Sequence, residues 1–403
     1  MSEHVLIFGH GPNIDYGTLL RAHPDVTTSL ICRPESLTKF GVPEGHQRII
    51  AIPKGAPIEE VVAQARAIPE PVTRIGAFWE LDQERAAAVG AALGVPTHHP
   101  STVRAVSDKD AMRERLRSSG VDDTAAALVT SPSDIIDFGT RHGYPLVVKP
   151  VAASGSCGVR VVRSVSEATE AYAVASGDFL GVTRAEVMVE QFHVGAQFSV
   201  ESFSDNGEHV VVAITKKYSD PHSLIELGHV CPAELDPADQ AAIENYVTDV
   251  LKALDVQLGA THTEVVLTTA GPRIIETHLR IGGDFIFDLV RDATGVDLVD
   301  LQVRQTLRRP VLEEARPKPS HHEAIWYAPP TAAGTFAGMT APPTVTALHE
   351  PGTDLTGLSG SWSRLAHARA TGSTAESAVA AAQEAITATT FDIKLAATIP
   401  FTV

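Results

Sequence analysis

The stretch Gly259-Ala-Thr-His262-Thr-Glu264-Val-Val-Leu-Thr-Thr-Ala-Gly271-Pro-Arg-Ile-Ile-Glu276-Thr-His278-Leu-Arg280 gathers side chains able to do chemistry. Two apolar runs flank Thr269-Ala270-Gly271, which reads as a three-residue hairpin loop with glycine at the left-handed position. That register pairs residues whose numbers sum to 540: Thr268 with Pro272, Val266 with Ile274, Glu264 with Glu276 and His262 with His278. Strand alternation puts these pairs on one face, with Arg280 two residues further on. Opposed carboxylates repel, and apolar flanks desolvate them and raise at least one pKa. A divalent cation between them relieves both penalties. An oxygen-rich site with few protein ligands suits Mg²⁺, which keeps waters and shares phosphate oxygens. The two histidines make zinc a rival, but no cysteine is near. Arg280-Ile-Gly-Gly-Asp284 follows at once, a cation and two glycines suited to a transferring phosphate or a developing oxyanion. No nucleophilic serine or cysteine competes: G-x-S-x-G is absent, and Ser154-Gly-Ser-Cys157 has no paired base in its local sequence.

A second cluster lies upstream. Pro145-Leu-Val-Val-Lys149-Pro150, then Ala152-Ala-Ser154-Gly155-Ser156-Cys-Gly158, then Val159-Arg-Val-Val162 reads as strand, glycine loop, strand. The order G-x-x-x-x-G-K-[ST] opening a helix is absent, so this is no P-loop. The reading is a hairpin flap whose backbone N–H groups fold over phosphates, with Lys149 as a point charge at its base. A mobile surface hairpin with a solvated lysine is the alternative.

These clusters need a scaffold. His4–Phe8, Thr28–Cys32, Arg48–Ile52 and Arg74–Phe78 read as buried strands, and Ile58–Ile68 and Asp82–Leu93 as helices, the second closing at Gly94. Their alternation predicts a small parallel α/β domain. Gly9-His10-Gly11-Pro12 reads as a tight turn more than as a dinucleotide fingerprint. Ser107-Asp108-Lys109-Asp110 opens a helix to Ser119 with a pattern close to a capping box. Ala125–Thr130 is expected as a strand and Ser131–Arg141 as a helix. From Tyr144 to about Val290 strands dominate, with helices near Ser166–Ser176 and Pro237–Leu254. Arg309–Pro319 reads as a linker to a last region containing a strand at Ala324–Tyr327 and a helix at Thr374–Thr387.

Bulk properties limit the partners. A chain of 403 residues predicts two or three domains. Acids outnumber bases 49 to 32, a net charge of −17, which argues against nucleic acid and anionic lipid. Phosphate must then be held by a few placed cations and a metal. Three widely separated cysteines form neither a disulfide framework nor a zinc set, and so read as a reducing compartment. No signal peptide and no run of roughly 20 apolar residues is present, so a cytoplasmic protein off the membrane is expected.

In this order the pieces resemble the ATP-grasp superfamily of carboxylate–amine ligases. The resemblance implies an α/β and α+β architecture: an N-terminal parallel α/β domain over 1–105, a central flap subdomain over 106–195, a metal-binding subdomain over 196–310 and a C-terminal lobe over 311–403. It implies ATP held by Lys109 and Lys149 under the flap of Ser154, Gly155, Ser156 and Gly158. Adenine would lie against the hinge Val187–Gly195, with Glu190 as the acid near its start and Phe192 and Val194 beyond. Mg²⁺, with Mn²⁺ able to substitute, would sit on Glu264 and Glu276, and Arg280 would stabilise the transferred phosphoryl group and the tetrahedral intermediate. Ile225-Glu226-Leu-Gly-His229-Val-Cys-Pro232 and Arg280-Ile-Gly-Gly-Asp284 look like the L-amino-acid ligase branch, which couples amino acids into dipeptides. Glu226 and His229 would then be catalytic groups on a loop facing substrate, and Lys216, or its neighbour Lys217, would approach the phosphates. Two departures stand out. Gln197 replaces the acid expected on the ribose hydroxyls, and His278 replaces an asparagine in the metal set. Imidazole holds Mg²⁺ poorly, so one metal ion or two remains open, and contact with substrate is the other role for His278. The expected reaction joins a carboxylate, an amino acid or small acid, to an amine through an acyl-phosphate. The partners are small molecules, with a homodimer implied by analogy. Two alternatives stand: a purine-pathway ligase or formyl-phosphate transferase acting on a ribonucleotide, and a nucleotide- or amino-acid-binding regulator without turnover.

Overall fold

The computed structural model describes residues 3–151, 158–177, 186–220, 223–355, 357–358 and 360–395. The chain begins with a four-stranded parallel sheet in the order Arg48–Ala51, Val26–Cys32, Glu3–Phe8 and Arg74–Ala77. The parallel α/β reading of this region holds, with strand ends within two residues of those expected. The helices Tyr16–Arg21 and Pro34–Phe40 were not foreseen. At six and seven residues they are too short to carry an apolar period.

The capping expectation is corrected. Asp108, not Ser107, caps the next helix, its carboxylate accepting from the backbone N–H groups of Asp110 and Ala111 at 3.0 and 3.1 Å. Ser107 closes the preceding helix, Pro100–Ser107. Lys109 is therefore the first residue of the helix Lys109–Ser118, and Arg113 follows one turn later on the same face.

A small antiparallel sheet comes next, in the order Ala126–Val129, Val187–Gln191, Leu146–Pro150 and Arg160–Val162. The helices Pro132–His142 and Ala168–Ala175 pack Ile135, Phe138 and Ala171 against it. Ser131 caps the first of them, with a full capping box to Asp134.

The third sheet is antiparallel and eight-stranded: Gly271–His278, Leu258–Thr268, Ala196–Asp205, Glu208–Ser219, Glu226–Cys231, His322–Ala328, Ala366–Gly372 and Val345–Ala347. Both faces are covered. On one face the helix Pro237–Ala253 sets Ile243, Val247, Val250 and Leu251 against Val265 and Ile274. On the other, the helices Ile286–Thr294 and Leu298–Thr306 set Leu289 and Leu301 against Phe203 and Ile325. Each such side chain contributes roughly 1.5–3 kcal/mol of burial. The division expected at 310 cuts through this sheet, because Glu226–Cys231 pairs directly with His322–Ala328. Arg309–Pro319 is not a free linker either: Val311 and Ala315 are fully packed into the core beside Leu289. A further small sheet joins Asp354–Leu355, Gly334–Thr340 and Thr390–Leu395. No helix among the described residues is long and apolar enough to cross a membrane.

Candidate active site

The hairpin delivers Glu264 opposite Glu276 by a route the sequence reading did not contain. Its turn is one residue tighter than expected, with Thr268 paired to Gly271, so Val266 faces Arg273 and not Ile274. A β-bulge between Glu264 and Val265 leaves Ile275 without a partner and restores the expected register beyond it. Glu264 therefore faces Glu276, and His262 faces His278. Lys217 Nζ lies 2.6 Å from Glu264 Oε1, and Lys109 Nζ lies 2.8 Å from Glu276 Oε2. Burial works to raise both carboxyls. For Glu264 the Lys217 charge and a hydrogen bond from His262 outweigh it, and for Glu276 the Lys109 and His278 charges do, so both stay well below the carboxylate range.

Two ionised carboxylates, face to face and each already attracting an ammonium, are a donor set that suits a hard divalent cation. No group of three or more His, Cys, Asp or Glu side chains able to hold a metal exists among the described residues. Water and phosphate oxygens would complete the shell, as Mg²⁺ prefers. His278 corrects the expected ligand set. Its Nδ1 lies 2.9 Å from Glu80 Oε1 and its Nε2 lies 3.2 Å from Glu276 Oε1, so neither nitrogen offers a free lone pair. Burial lowers its pKa, but Glu276 and Glu80 override that and raise it, making the ring a donor to both acids. His262 behaves alike: burial opposes, yet Glu201 at 2.6 Å and Glu264 bring its pKa to about 9.

One cleft of about 250 Å³ joins this pair to the rest of the cluster. At one end stand Lys149, Glu190, Phe192 and Gln197. Lys149 donates to Glu190, and Arg113 Nε donates to the other Glu190 oxygen at 3.1 Å. Arg113 also reaches Ile274 O at 2.8 Å and Asp122 at 3.4 Å, tying the Lys109 helix to the hinge strand and to the hairpin that carries Glu276. Burial, then the Arg113 and Lys109 charges, push Lys149 down against the pull of Glu190. Gln197 accepts from Ser219 Oγ at 3.2 Å. Phe192 gives its backbone N–H to Pro145 O at 3.4 Å. Val194 is 70 % exposed and off the cleft wall. Ser154, Gly155 and Ser156 lie outside the described residues, while Gly158, at φ +71°, turns the chain into the strand Arg160–Val162. The choice of Lys216 is corrected as well. Lys216 lies over the ring of Tyr218, and Lys217 is the one inside the cleft.

The other end is built on the strand Glu226–Cys231, where a loop was expected. Residues three apart on a regular strand face opposite sides. Here Ser219 pairs with Glu226 and Tyr218 with Gly228, a bulge that skips Leu227 and turns Glu226 and His229 into the same cleft. Glu226 holds Lys217 at 3.0 Å and accepts from Ser361 Oγ at 3.1 Å. His229 is buried with Nε2 3.4 Å from Asp284 Oδ2. Arg364 grips the same carboxylate with two hydrogen bonds of 2.6 and 2.7 Å and lies 3.7 Å over the Tyr327 ring. Asp284 and Phe285 hold left-handed backbone, φ +53° and +61°, and Tyr327 Oη pins Asp284 O at 2.8 Å. Arg280 also lines the cleft, its Nε donating to Glu80 Oε2 at 2.9 Å.

Compared with protein families, residues 142–288 match the model of the ATP-grasp domain. The chain carries an ATP-grasp domain. An uncharacterised protein of Sinorhizobium fredii is 29% identical over 213 residues, 53% of this chain and 44% of that protein. The alanine–anticapsin ligase of Bacillus subtilis is 26% identical over 215 residues, 48% of this chain and 45% of the ligase. The chain thus spans less than half the length of these curated relatives. The crystal structure of an L-amino acid ligase from Bacillus licheniformis superposes with a TM-score of 0.82 at 20% identity, covering 98% of this chain and 99% of the other, and has the same fold.

The ATP-grasp match takes in Lys149, Glu190, Gln197, Glu226, His229, Glu264, Glu276 and Arg280. The geometry adds four residues absent from the sequence reading of the site. Arg113 had a signal, one helical turn beyond Lys109. Glu80, in a 3₁₀ turn of the N-terminal domain, had none, and neither did Asp122 or Arg364, which lies 80 residues beyond its partner Asp284.

Proposed function

We propose that this protein is a Mg²⁺- and ATP-dependent ligase joining a carboxylate to an amine, with amino acids as the substrate class. The observation that carries the reading is the pair Glu264 and Glu276, opposed across a hairpin in the same cleft as Lys109, Lys149 and Arg280. ATP would lie along the Lys149–Glu190–Gln197 end, and the condensing substrates at the Glu226–His229–Asp284 end, with Arg280 in the same cleft.

The order of events follows from charge. The substrate carboxylate attacks the γ-phosphoryl group, giving an acyl-phosphate and ADP. Lys149 and Lys109 neutralise phosphate charge from positions fixed by Glu190 and Glu276, so positioning and electrostatics supply most of the catalysis. Glu264 and Glu276 would hold Mg²⁺, or Mn²⁺ in its place, which would supply further charge neutralisation to the phosphate oxygens. A neutral amine then attacks the acyl carbon, phosphate leaves, and Arg280 faces the oxyanion that forms on the way. Alanine–anticapsin ligase, by its name, joins an amino acid to a second substrate, which supports the substrate class.

A phosphate-release screen over pairs of amino acids and small acids, with ATP and Mg²⁺, tests the reading. ADP should accumulate beyond about one equivalent per enzyme only when both an acid and an amine are present, and Glu276→Gln should abolish it with the fold intact. ATP binding without ADP from any pair would make the protein a regulator. A strict need for a ribosyl-phosphate acceptor would move it to the purine-type ligases.

A further inference from the structure

A second cavity, of about 590 Å³, lies apart from the catalytic cleft, between the N-terminal parallel sheet and the Leu298–Thr306 helix of the large sheet. Its wall carries Arg74, Arg308 and Arg309 against a single acid, Asp205, in a chain whose net charge is −17. Asp205 is already engaged, accepting from Gln305 Nε2 at 2.9 Å. Arg74 spends its two terminal nitrogens on Glu3 and Thr73 O, both at 2.7 Å, and its Nε is out of contact with solvent and has no partner. Nδ1 of His98, on the same wall, is likewise unpartnered. Neither the Arg308 nor the Arg309 guanidinium has a hydrogen-bond or carboxylate partner among the described residues.

The backbone adds a second observation. Arg308 sits at φ +54°, held by its N–H on Gln305 O at 2.8 Å, just past the end of the helix Leu298–Thr306. Glycine is the usual residue in that left-handed position, and a side chain there is strained. Arg308 lines the same cavity as Arg74, whose pKa is lowered by burial and, against Glu3, by the Arg308 charge. Glu3 neutralises Arg74, so the charge left over on this wall is that of Arg308 and Arg309, and it favours an anion. The remaining wall is mixed, with apolar Phe78, Val95 and Leu258 beside polar Thr97, Asn206 and Gln302, so the space can take an anion whose body is partly apolar.

We infer that this cavity is a second small-molecule site, taking a carboxylate or phosphate monoester that carries an apolar portion. It adjoins the active site through Gln83, on the same wall, which donates to Ala77 O at 2.9 Å and to Leu279 O at 2.8 Å, between His278 and Arg280.

The test is calorimetric titration of the whole protein with phenyl phosphate, benzoate and neutral benzyl alcohol, with saturating MgADP in the catalytic cleft. At least one anion should bind with a stoichiometry of one, and benzyl alcohol should bind at least about tenfold more weakly. The paired substitution R308Q/R309Q, on exposed side chains, should weaken the anion by about tenfold or more at an unchanged melting temperature. Arg280→Gln should leave it unchanged. Binding that is equal in R308Q/R309Q, that is lost in Arg280→Gln, or that benzyl alcohol matches would overturn the assignment. So would the absence of binding by both anions.

Discussion

Glu80, in a 3₁₀ turn after the parallel sheet, accepts through one carboxylate oxygen from Nε of Arg280, just past the large sheet's edge strand, at 2.9 Å, while its other oxygen holds His278. Burial works to raise Glu80, but His278 and Arg280 override it and bring its pKa to about 2. Glu80 is thus a fixed anion that aims the two cations next to the Glu264–Glu276 pair. It is a positioning residue. Glu80→Gln should lower kcat by about ten- to a hundredfold, with a smaller change in KM and a near-native melting temperature. An equal fall in kcat and in folded fraction would reduce Glu80 to a structural strut.

The two neighbouring lysines give a clean contrast. Lys217 is buried between Glu264 and Glu226, and Lys216 lies outside over Tyr218. Burial opposes the Lys217 charge, but the two acids outweigh it and raise its pKa. Lys217→Met should lower turnover by about a hundredfold or more, because Glu264 loses its counter-charge. Lys216→Met should keep turnover within about twofold of the parent. Steady-state kinetics on the two variants decides, and a reversed order would return the role to Lys216.

How much of this site could be read from the chain follows from the kind of signal each residue leaves. Glu264 and Glu276 were legible because apolar runs and a glycine turn fix a hairpin, and a hairpin fixes who faces whom. The pairing was nevertheless reached through a wrong turn and an unseen bulge at Ile275, which compensate by one residue each. Bulges leave no period in a sequence, which is also why Glu226 and His229 were assigned to a loop. The parallel sheet was legible from alternating strand and helix runs. Its short helices were not, nor was the sharing of one sheet by residues on either side of 310. Glu80 and Arg364 are set by tertiary packing alone, and a lone charge in a loop has no local mark. Lys216 and Lys217 show the limit plainly: alternation says that one faces in, but only the register says which.

Asp284 and Arg364 join the catalytic segment to the C-terminal region. Burial raises Asp284, but His229 and Arg364 outweigh it and hold the acid far down, so it stays ionised. Its side chain is 28% exposed and that of Arg364 only 5%. Arg364→Ala leaves a mostly buried carboxylate without its fork, at a cost of about 3 kcal/mol. The double variant Asp284→Ala with Arg364→Ala should cost less than the sum of the single ones, as expected for partners in one pair. Urea denaturation of the four proteins measures the coupling, and strict additivity would deny the pair an energetic role.

Beside that pair, His367 is only 6% exposed and packs on Phe285, with ring centroids 4.7 Å apart. Burial first, then the Arg364 and Arg369 charges, lower its pKa from 6.5 to about 4 against the pull of Asp284. The folded protein therefore keeps this ring neutral where the unfolded chain protonates it. The unfolded state binds more protons between pH 6.5 and about 4, so stability rises with pH across that window and is lost on acidification. At pH 5 the loss from this one group is about 2 kcal/mol relative to pH 7.5. His367→Asn, which cannot take up that proton, should show a drop in stability between these two pH values that is smaller by the same amount. Denaturant midpoints for both proteins at both pH values measure the difference. Parallel drops would mean that the His367 ring is protonated in the fold, and that the Asp284 carboxylate reaches it more strongly than the two arginines.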